Sequence, residues 1–477
     1  MSSTSEVDPI PLWIDHSPRQ TPSSFPVVNA STGQTVHHAS SSTPATATLA
    51  ADSSWQAFKS WRSTTHVVRR DLILRVADHL QTHAPAFVAA QRAETSCTES
   101  WAAMNVDLAQ RYLREIAAQV SSVAGVIPPT EKPHTLGFVF REPVGPVLCI
   151  APWNGALVLA ARGIASAIAV GCSVVFKASE LCPKTHFLLT TAFKECGLPA
   201  GVLNQVQCRR EDAAEVTEAL IAHEAIRKIE FIGSAAVGRQ IMATAAKYLK
   251  PVIMELGGKC PALVLEDADL AEAAKQCAMG AVVNHGQICF STERIIVLEA
   301  AAAQFQELLV AEMKALGEQN ACGSAVSTAI AAHARDVIRD AHDNGEEMLV
   351  GDPDINTTRA SLSPTLVLNP TPSSRILDEE TFGPSASLYT VASDADAIAL
   401  ANRSAYGLNA TVWTRDMNRF MKIARELEYG QVHANSISVY TSATGSQGGV
   451  KSSGFGRQNG KWGLEAFVVE KFVTWCG

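Results

Sequence analysis

The stretch NHGQICFST, residues 284–292, sets one of eleven cysteines behind a glycine-containing loop and ahead of two hydroxyl residues. A cysteine nucleophile needs partial exposure, an electropositive setting and donors for the charge it creates. Cys289 follows a helix-like segment, DLAEAAKQCAMGAVV, and Gly286 lets backbone come close to a ligand. The plainer reading of any single cytosolic cysteine is a small apolar core residue. Glu255 ends the apolar run PVIME, and two glycines follow at once. A carboxylate there is either a surface group before a turn or stands at the C-terminal edge of a sheet, where open α/β folds place ligands. Asn154, in PWN directly after the run GPVLCIA, can donate to a developing oxyanion or cap the next helix.

Nucleotide chemistry has weaker single signals. The string FIGSAAVG, residues 231–238, reads as a strand, a Gly233-Ser234 turn and a helix start, which can face a pyrophosphate with backbone N–H groups. FKASE, residues 176–180, offers Lys177 and Glu180 after a strand. Such a glutamate can hold the two hydroxyls of an adenosine ribose and would repel a 2′-phosphate. No GxGxxG follows an early strand; GFGRQNG, residues 454–460, comes late and follows none.

These residues must be positioned by alternating elements. Strand-like runs GPVLCIA, SVVFKAS, IRKIEFIGS, PVIMELGG and CPALVLED are separated by helical ones, which implies a parallel sheet covered by helices. The pattern continues from about 300 to 434 as a second α/β unit. Leu72, Val76, Leu80 and Phe87 recur at helical spacing over 67–95. The first fifty residues, rich in Ser, Thr, Ala and Pro, read as a surface wrap. The tail FVVEKFVTW is a strand in need of a partner.

At 477 residues, 47% apolar and 18% charged, the chain is large enough for two or three domains with sizeable cores. A net charge of −8 argues against a nucleic-acid partner. The low-charge stretch 144–176 is broken by Pro146, Pro152, Asn154 and Arg162, so it reads as strand, loop, helix and strand rather than a membrane span. The N-terminus has neither the basic start and apolar core of a secretory signal nor the arginines of a mitochondrial presequence. Cysteines without CxxC spacing argue against a disulfide framework and against a metal site. A cytoplasmic location is expected.

In combination the motifs are specific. PWN ending at Asn154, FKASE at Glu180, FIGSxxVG at Gly238, MELGGK at Lys259, GQIC at Cys289, EETFGP at Pro384 and GGVKSSGFGR at Arg457 resemble, in order and spacing, the aldehyde dehydrogenase superfamily. The resemblance runs from about residue 65 to the C-terminus. It implies an α/β fold with two Rossmann-like parallel-sheet domains and a small β oligomerisation arm. The implied divisions are 1–124 with 144–256 for NAD, 257–457 for catalysis, and 125–143 with 458–477 for the arm, in a homodimer or homotetramer. Cys289 then matches the nucleophile, Asn154 the oxyanion donor and Glu255 the base that activates water against a thioester. Trp153, Lys177, Ser179, Glu180, Gly233, Ser234, Gly238, Leu256, Glu380 and Phe382 match cofactor contacts, with NAD as the cofactor.

Two positions depart from the commoner family pattern: Ser446-Gln447 replaces Pro-Phe before the late GG, and Gly155 stands where a bulky aromatic is common. Both would line the aldehyde tunnel, together with Arg162, a little over two helical turns beyond Asn154. An arginine there is similar to the branch that oxidises salicylaldehyde, vanillin and other benzaldehydes; its guanidinium can stack on the ring or bond a ring hydroxyl. The alternatives are an Arg162 paired elsewhere, an aliphatic or natural-product aldehyde, a CoA-acylating relative, and a non-catalytic relative.

Overall fold

Apolar runs of four or five residues, too short for helices and bounded by turns, form the strands of the first sheet. The computed structural model describes residues 8–319, 321–352 and 360–477. Leu203–Val206, Val174–Lys177, Val147–Ile150, Lys228–Ile232 and Val252–Glu255 lie side by side in that order, all parallel. They are buried almost throughout because helices cover both faces, which is why these strands carry continuous rather than alternating apolar residues. The chain runs outward in both directions from Val147–Ile150, so strand order reverses beside it. That reversal opens a crevice at the carboxyl ends of the strands. Asn154, Lys177, Gly233 and Glu255 all lie at or just past those ends.

Small side chains let Ala156–Ala169 sit deep: every residue of this helix except Leu159 is buried. It packs between the sheet and the helix Glu99–Gln119. Ser234 caps Ala235–Lys247, its hydroxyl accepting from the Val237 N–H.

Residues 256–259 lead directly into a second sheet, ordered Glu347–Val350, Thr365–Leu368, Ser385–Val391, Thr292–Leu298, Cys260–Val264, Asn409–Trp413 and Gln431–Ala434. Its pairs are parallel apart from the antiparallel edge strand Glu347–Val350. The chain then returns to the first sheet, where Gly454–Phe455 pairs antiparallel with Val252–Glu255. After the short helix Gly460–Glu465, whose Leu464 joins the first core, Val468–Cys476 pairs with Thr135–Pro143 in a two-stranded arm.

The N-terminal segment does more than wrap a surface. Leu12–Ile14 adds to the first sheet antiparallel to Leu203–Val206, with Leu12 and Ile14 fully buried, and Ser24–Asn29 forms a hairpin with Gln34–Ser40. A strand of three residues, between Pro11 and Pro18, is too short for a periodic signal. The helical segment 67–95 is two helices, His66–Thr82 and Ala84–Thr95, broken at His83 ahead of Pro85. Among the described residues no helix is long and apolar enough to cross a membrane.

Candidate active site

Cys289 sits between a tight turn and the strand Thr292–Leu298. Three consecutive residues before it take left-handed conformations, with φ of 52° at Asn284, 61° at His285 and 69° at Gly286. Two of them are not glycine, so the turn stores strain that the surroundings must hold. They do so by close backbone packing. A Cβ on Gly286 would lie 2.0 Å from the Gly383 carbonyl oxygen, and one on Gly258 would lie 2.2 Å from that of Cys289. The Leu362 N–H donates to His285 Nε2 at 2.9 Å. Burial pushes His285 down to about 4, keeping the ring neutral and able to accept.

All eleven cysteines are free, and only Cys196, Cys289 and Cys476 are not buried. Cys196 ends a helix and Cys476 lies in the arm. Of these three, Cys289 alone stands beside a buried carboxylate, that of Glu255. The electropositive setting expected from sequence is absent. The low-dielectric surroundings of this half-buried side chain and the Glu255 carboxylate beside it, with Glu380 farther off, hold the Cys289 thiol well above its ordinary pKa. The resting group is therefore a neutral thiol with a proton acceptor next to it. Glu255, at the end of its strand, is 2% exposed, and its Oε1 has no partner among the described residues. Burial raises its pKa, while the Cys289 thiol and the Arg162 charge favour the ionised form. Asn154 Nδ2 donates to the Gln287 carbonyl at 3.0 Å, leaving its second N–H for a ligand. The Asn154 carbonyl in turn accepts from Trp101 Nε1 at 2.9 Å.

The remaining predicted residues fall at the same sheet edge. The ring centroids of Trp153 and Phe382 lie 5.9 Å apart, edge to face. Ser179 Oγ accepts from the Leu181 N–H, fixing the turn that carries Glu180. A Cβ on Gly238 would lie 2.7 Å from Leu256, so only glycine lets this helix start pack so near. Glu380 Oε1 accepts from the Gly258 N–H at 2.9 Å, and burial together with Glu293 pushes its carboxyl to about 8.

Arg162 is 2% exposed. It donates to Gln458 Oε1 at 2.5 Å and to Asn459 Oδ1 at 3.4 Å, with its guanidinium carbon 6.0 Å from the Tyr112 ring centroid. Its Nε has no partner among the described residues. Gln447 is buried, its Oε1 accepting from Thr441 and Asn459. Gly155 precedes the buried helix, where a Cβ would meet Leu159 at 3.1 Å. Sequence reasoning missed Trp101 and Tyr112. They lie eleven residues, about three turns, apart on one face of Glu99–Gln119, a spacing legible in the sequence. Trp101 packs in one cluster with Cys289, Ile288 and Phe290.

Comparison with known proteins bears on the family and the fold. The family model described as "Aldehyde dehydrogenase family" matches residues 16–473. The salicylaldehyde dehydrogenase of Pseudomonas sp. (strain C18) is 38% identical over 97% of this chain and 96% of its own. The vanillin dehydrogenase of Pseudomonas fluorescens is 37% identical over 94% of this chain and 93% of its own. The crystal structure of a salicylaldehyde dehydrogenase from Pseudomonas putida G7, complexed with salicylaldehyde, superposes with a TM-score of 0.95 at 36% identity, covering 98% of each chain. Betaine aldehyde dehydrogenase from Staphylococcus aureus, in complex with NAD+, gives 0.94 at 28% identity, covering 98% of this chain and 95% of that one. With fold, motif order and full-length similarity in agreement, the chain belongs to the aldehyde dehydrogenase family.

Proposed function

We propose that this protein oxidises an aromatic aldehyde bearing a ring hydroxyl to its carboxylic acid, with NAD as hydride acceptor. The observation that carries the reading is the buried Arg162 guanidinium. It is held over Tyr112 with Nε unpartnered among the described residues, and its charge reaches the Glu255 carboxylate that faces Cys289. A donor of this kind, among aromatic walls that include Trp101, suits a ring hydroxyl or the ring face. Similarity to enzymes named for salicylaldehyde and vanillin supports it.

In this reading Glu255 takes the Cys289 proton, and the sulfur attacks the aldehyde carbon. Asn154 Nδ2 and the Cys289 N–H donate to the oxyanion that forms. Once Glu255 has passed the thiol proton to solvent and the carbon has been oxidised to a thioester on Cys289, Glu255 takes a proton from water, whose oxygen attacks the thioester. The C–S bond breaks, the carboxylic acid leaves and the proton returns to the sulfur. NAD, when bound, supplies the hydride acceptor. The residues present fit it. Ser234 caps a helix whose N-terminus faces the crevice, as a pyrophosphate requires. Gly238 admits close packing on Leu256, and Trp153, Phe382 and Glu380 lie near the Cys289 side of the same edge. Lys177, Ser179 and Glu180 would hold the adenosine ribose, with Gly233 in the turn. Glu180 would favour NAD over NADP, because a 2′-phosphate meets like charge. Gly155 and Gln447 would shape the tunnel. The domain division given above, a homo-oligomer joined through the arm and a cytoplasmic location complete the reading; free cysteines support the last.

The test is NADH formation with salicylaldehyde, benzaldehyde and acetaldehyde, before and after Arg162→Leu. Salicylaldehyde is expected to be preferred. The variant is expected to lose about 1 kcal/mol or more in kcat/KM for the hydroxylated ring and less for acetaldehyde. A wild type that prefers acetaldehyde refutes the aromatic assignment. Stimulation by CoA would favour an acylating relative instead.

A further inference from the structure

Behind Arg162 lies a second buried charge that the proposed reaction does not use. Glu230 is 3% exposed, in the middle of Lys228–Ile232. Its Oε1 accepts from Gln458 Nε2 at 2.7 Å, and its Oε2 from the Cys149 thiol at 3.5 Å. The same Gln458 amide accepts from Arg162 at 2.5 Å through its oxygen. One amide thus joins a buried guanidinium to a buried carboxylate, donating to one and accepting from the other. No nitrogen of Arg162 makes a direct ion pair with Glu230. The space for the carboxylate is made by Gly163, the residue next to Arg162: a Cβ there would lie 2.2 Å from Glu230 Oε2. On its other side the guanidinium meets Asn459, held by its bonds to Ser442 and Gln447.

We propose that Glu230 is a positioning residue for Arg162: it supplies the counter-charge that keeps the buried guanidinium in place, acting through Gln458 in space left by Gly163. The proposal rests on the reading that Arg162 faces the substrate. A buried arginine without a counter-ion is costly, and a side chain with several torsions would swing toward water to relieve that cost. The bridged carboxylate opposes this while leaving Nε uncommitted. A direct Glu–Arg pair would instead occupy the donors that recognition requires. Burial raises the Glu230 pKa, and the Arg162 charge is the largest influence holding it down, ahead of Gln458, Cys149 and Lys228.

The experiment is a double-mutant cycle on the full-length protein, read by thermal unfolding and by steady-state kinetics. Glu230→Gln keeps the shape and the acceptor for Gln458, removes the charge and exchanges the oxygen that accepts from the Cys149 thiol for an NH2 group. Arg162→Leu, leaving Glu230 without its cation, is expected to lower the apparent Tm by on the order of 3 °C or more. Adding Glu230→Gln to it should recover at least half of that loss. Additive losses, or a neutral Glu230→Gln in both backgrounds, would overturn the proposal. If Arg162→Leu does not fold, recovery of folded protein in the double variant supports the proposal, and failure to recover beside a folded Glu230→Gln single variant overturns it. In kinetics, Glu230→Gln should raise KM for salicylaldehyde about fivefold or more, with a smaller change in kcat. Exchanging the two groups, Glu230→Gln with Gln458→Glu, restores the charge but pairs it directly with Arg162, so it should return the Tm lost in Glu230→Gln while KM stays raised. An unrecovered Tm counts against the charge, and a recovered KM counts against the bridged arrangement. If Arg162→Leu leaves the KM for salicylaldehyde unchanged, the substrate reading fails. The thermal cycle still decides separately whether Glu230 and Arg162 are coupled.

Discussion

A protonated thiol beside a buried carboxylate makes catalysis depend on a proton transfer that precedes attack. Cys289→Ala should lower aldehyde oxidation by about a thousandfold or more while leaving NAD binding, followed by fluorescence quenching, nearly unchanged. Glu255→Gln removes the acceptor for both the thiol and the water. Stopped-flow mixing should then show a slowed burst of NADH of at most one equivalent per site, followed by an even slower steady state. Raising the pH should speed the burst, because more of the thiol then ionises without help, but not the steady state. A burst as fast as wild type at neutral pH would mean that Glu255 serves only the water. In the wild type, burial raises the Glu255 pKa, so activity should fall, as pH drops, at a higher pH than an ordinary carboxylate would give. Arg162→Leu removes a charge that favours ionised Glu255, so it should move that limb further up.

At the scale of elements, strand ends and one strained turn do the positioning. A methyl group on Gly286 would collide with the Gly383 backbone, so Gly286→Ala should displace Cys289 and reduce kcat about a hundredfold, more than it reduces cofactor affinity. The Glu380 carboxyl gives a test of the neighbouring strand link. Its pKa of about 8 is raised above that of an unfolded glutamate. The folded state therefore binds its proton more tightly, and the stability this confers is present at low pH and lost as pH rises through about 8. In cofactor-free protein, Glu380→Gln should melt increasingly above wild type between pH 5 and 8.5; a difference independent of pH would refute the assignment. The strands were legible in the sequence because parallel strands buried on both faces read as unbroken apolar runs, with Lys177, Glu255 and Asn154 marking their ends. Cys289 was legible only through its motif. The carboxylates around it come from residues 255 and 380, and no local pattern announces an electronegative site. Likewise, Arg162 was placed on its helix correctly, but its partners Gln458 and Asn459 lie almost three hundred residues away. Only folding brings them together.

For the molecule as a whole, two sheets share one site through a four-residue link, and the arm extends beyond both. Phe140, Phe472 and Trp475 on that arm are 47%, 59% and 63% exposed. Apolar surface of this kind is unfavourable in a lone chain. Phe472→Glu with Trp475→Glu should therefore lower the mass measured by light scattering, with little change in the pairing of Thr135–Pro143 to Val468–Cys476; an unchanged mass would refute assembly through the arm. The pairing of Glu255 with Gly454 also matters during synthesis. The strand that bears the base is completed by residues the ribosome adds about two hundred positions later, long after Cys289 has emerged. Domains fold as units while the chain grows, so the unfinished protein holds its nucleophile without a fully seated proton acceptor. Nucleophile and base therefore meet only when the last strands arrive, so the end of the chain, not the segment that carries the cysteine, decides when the site becomes competent.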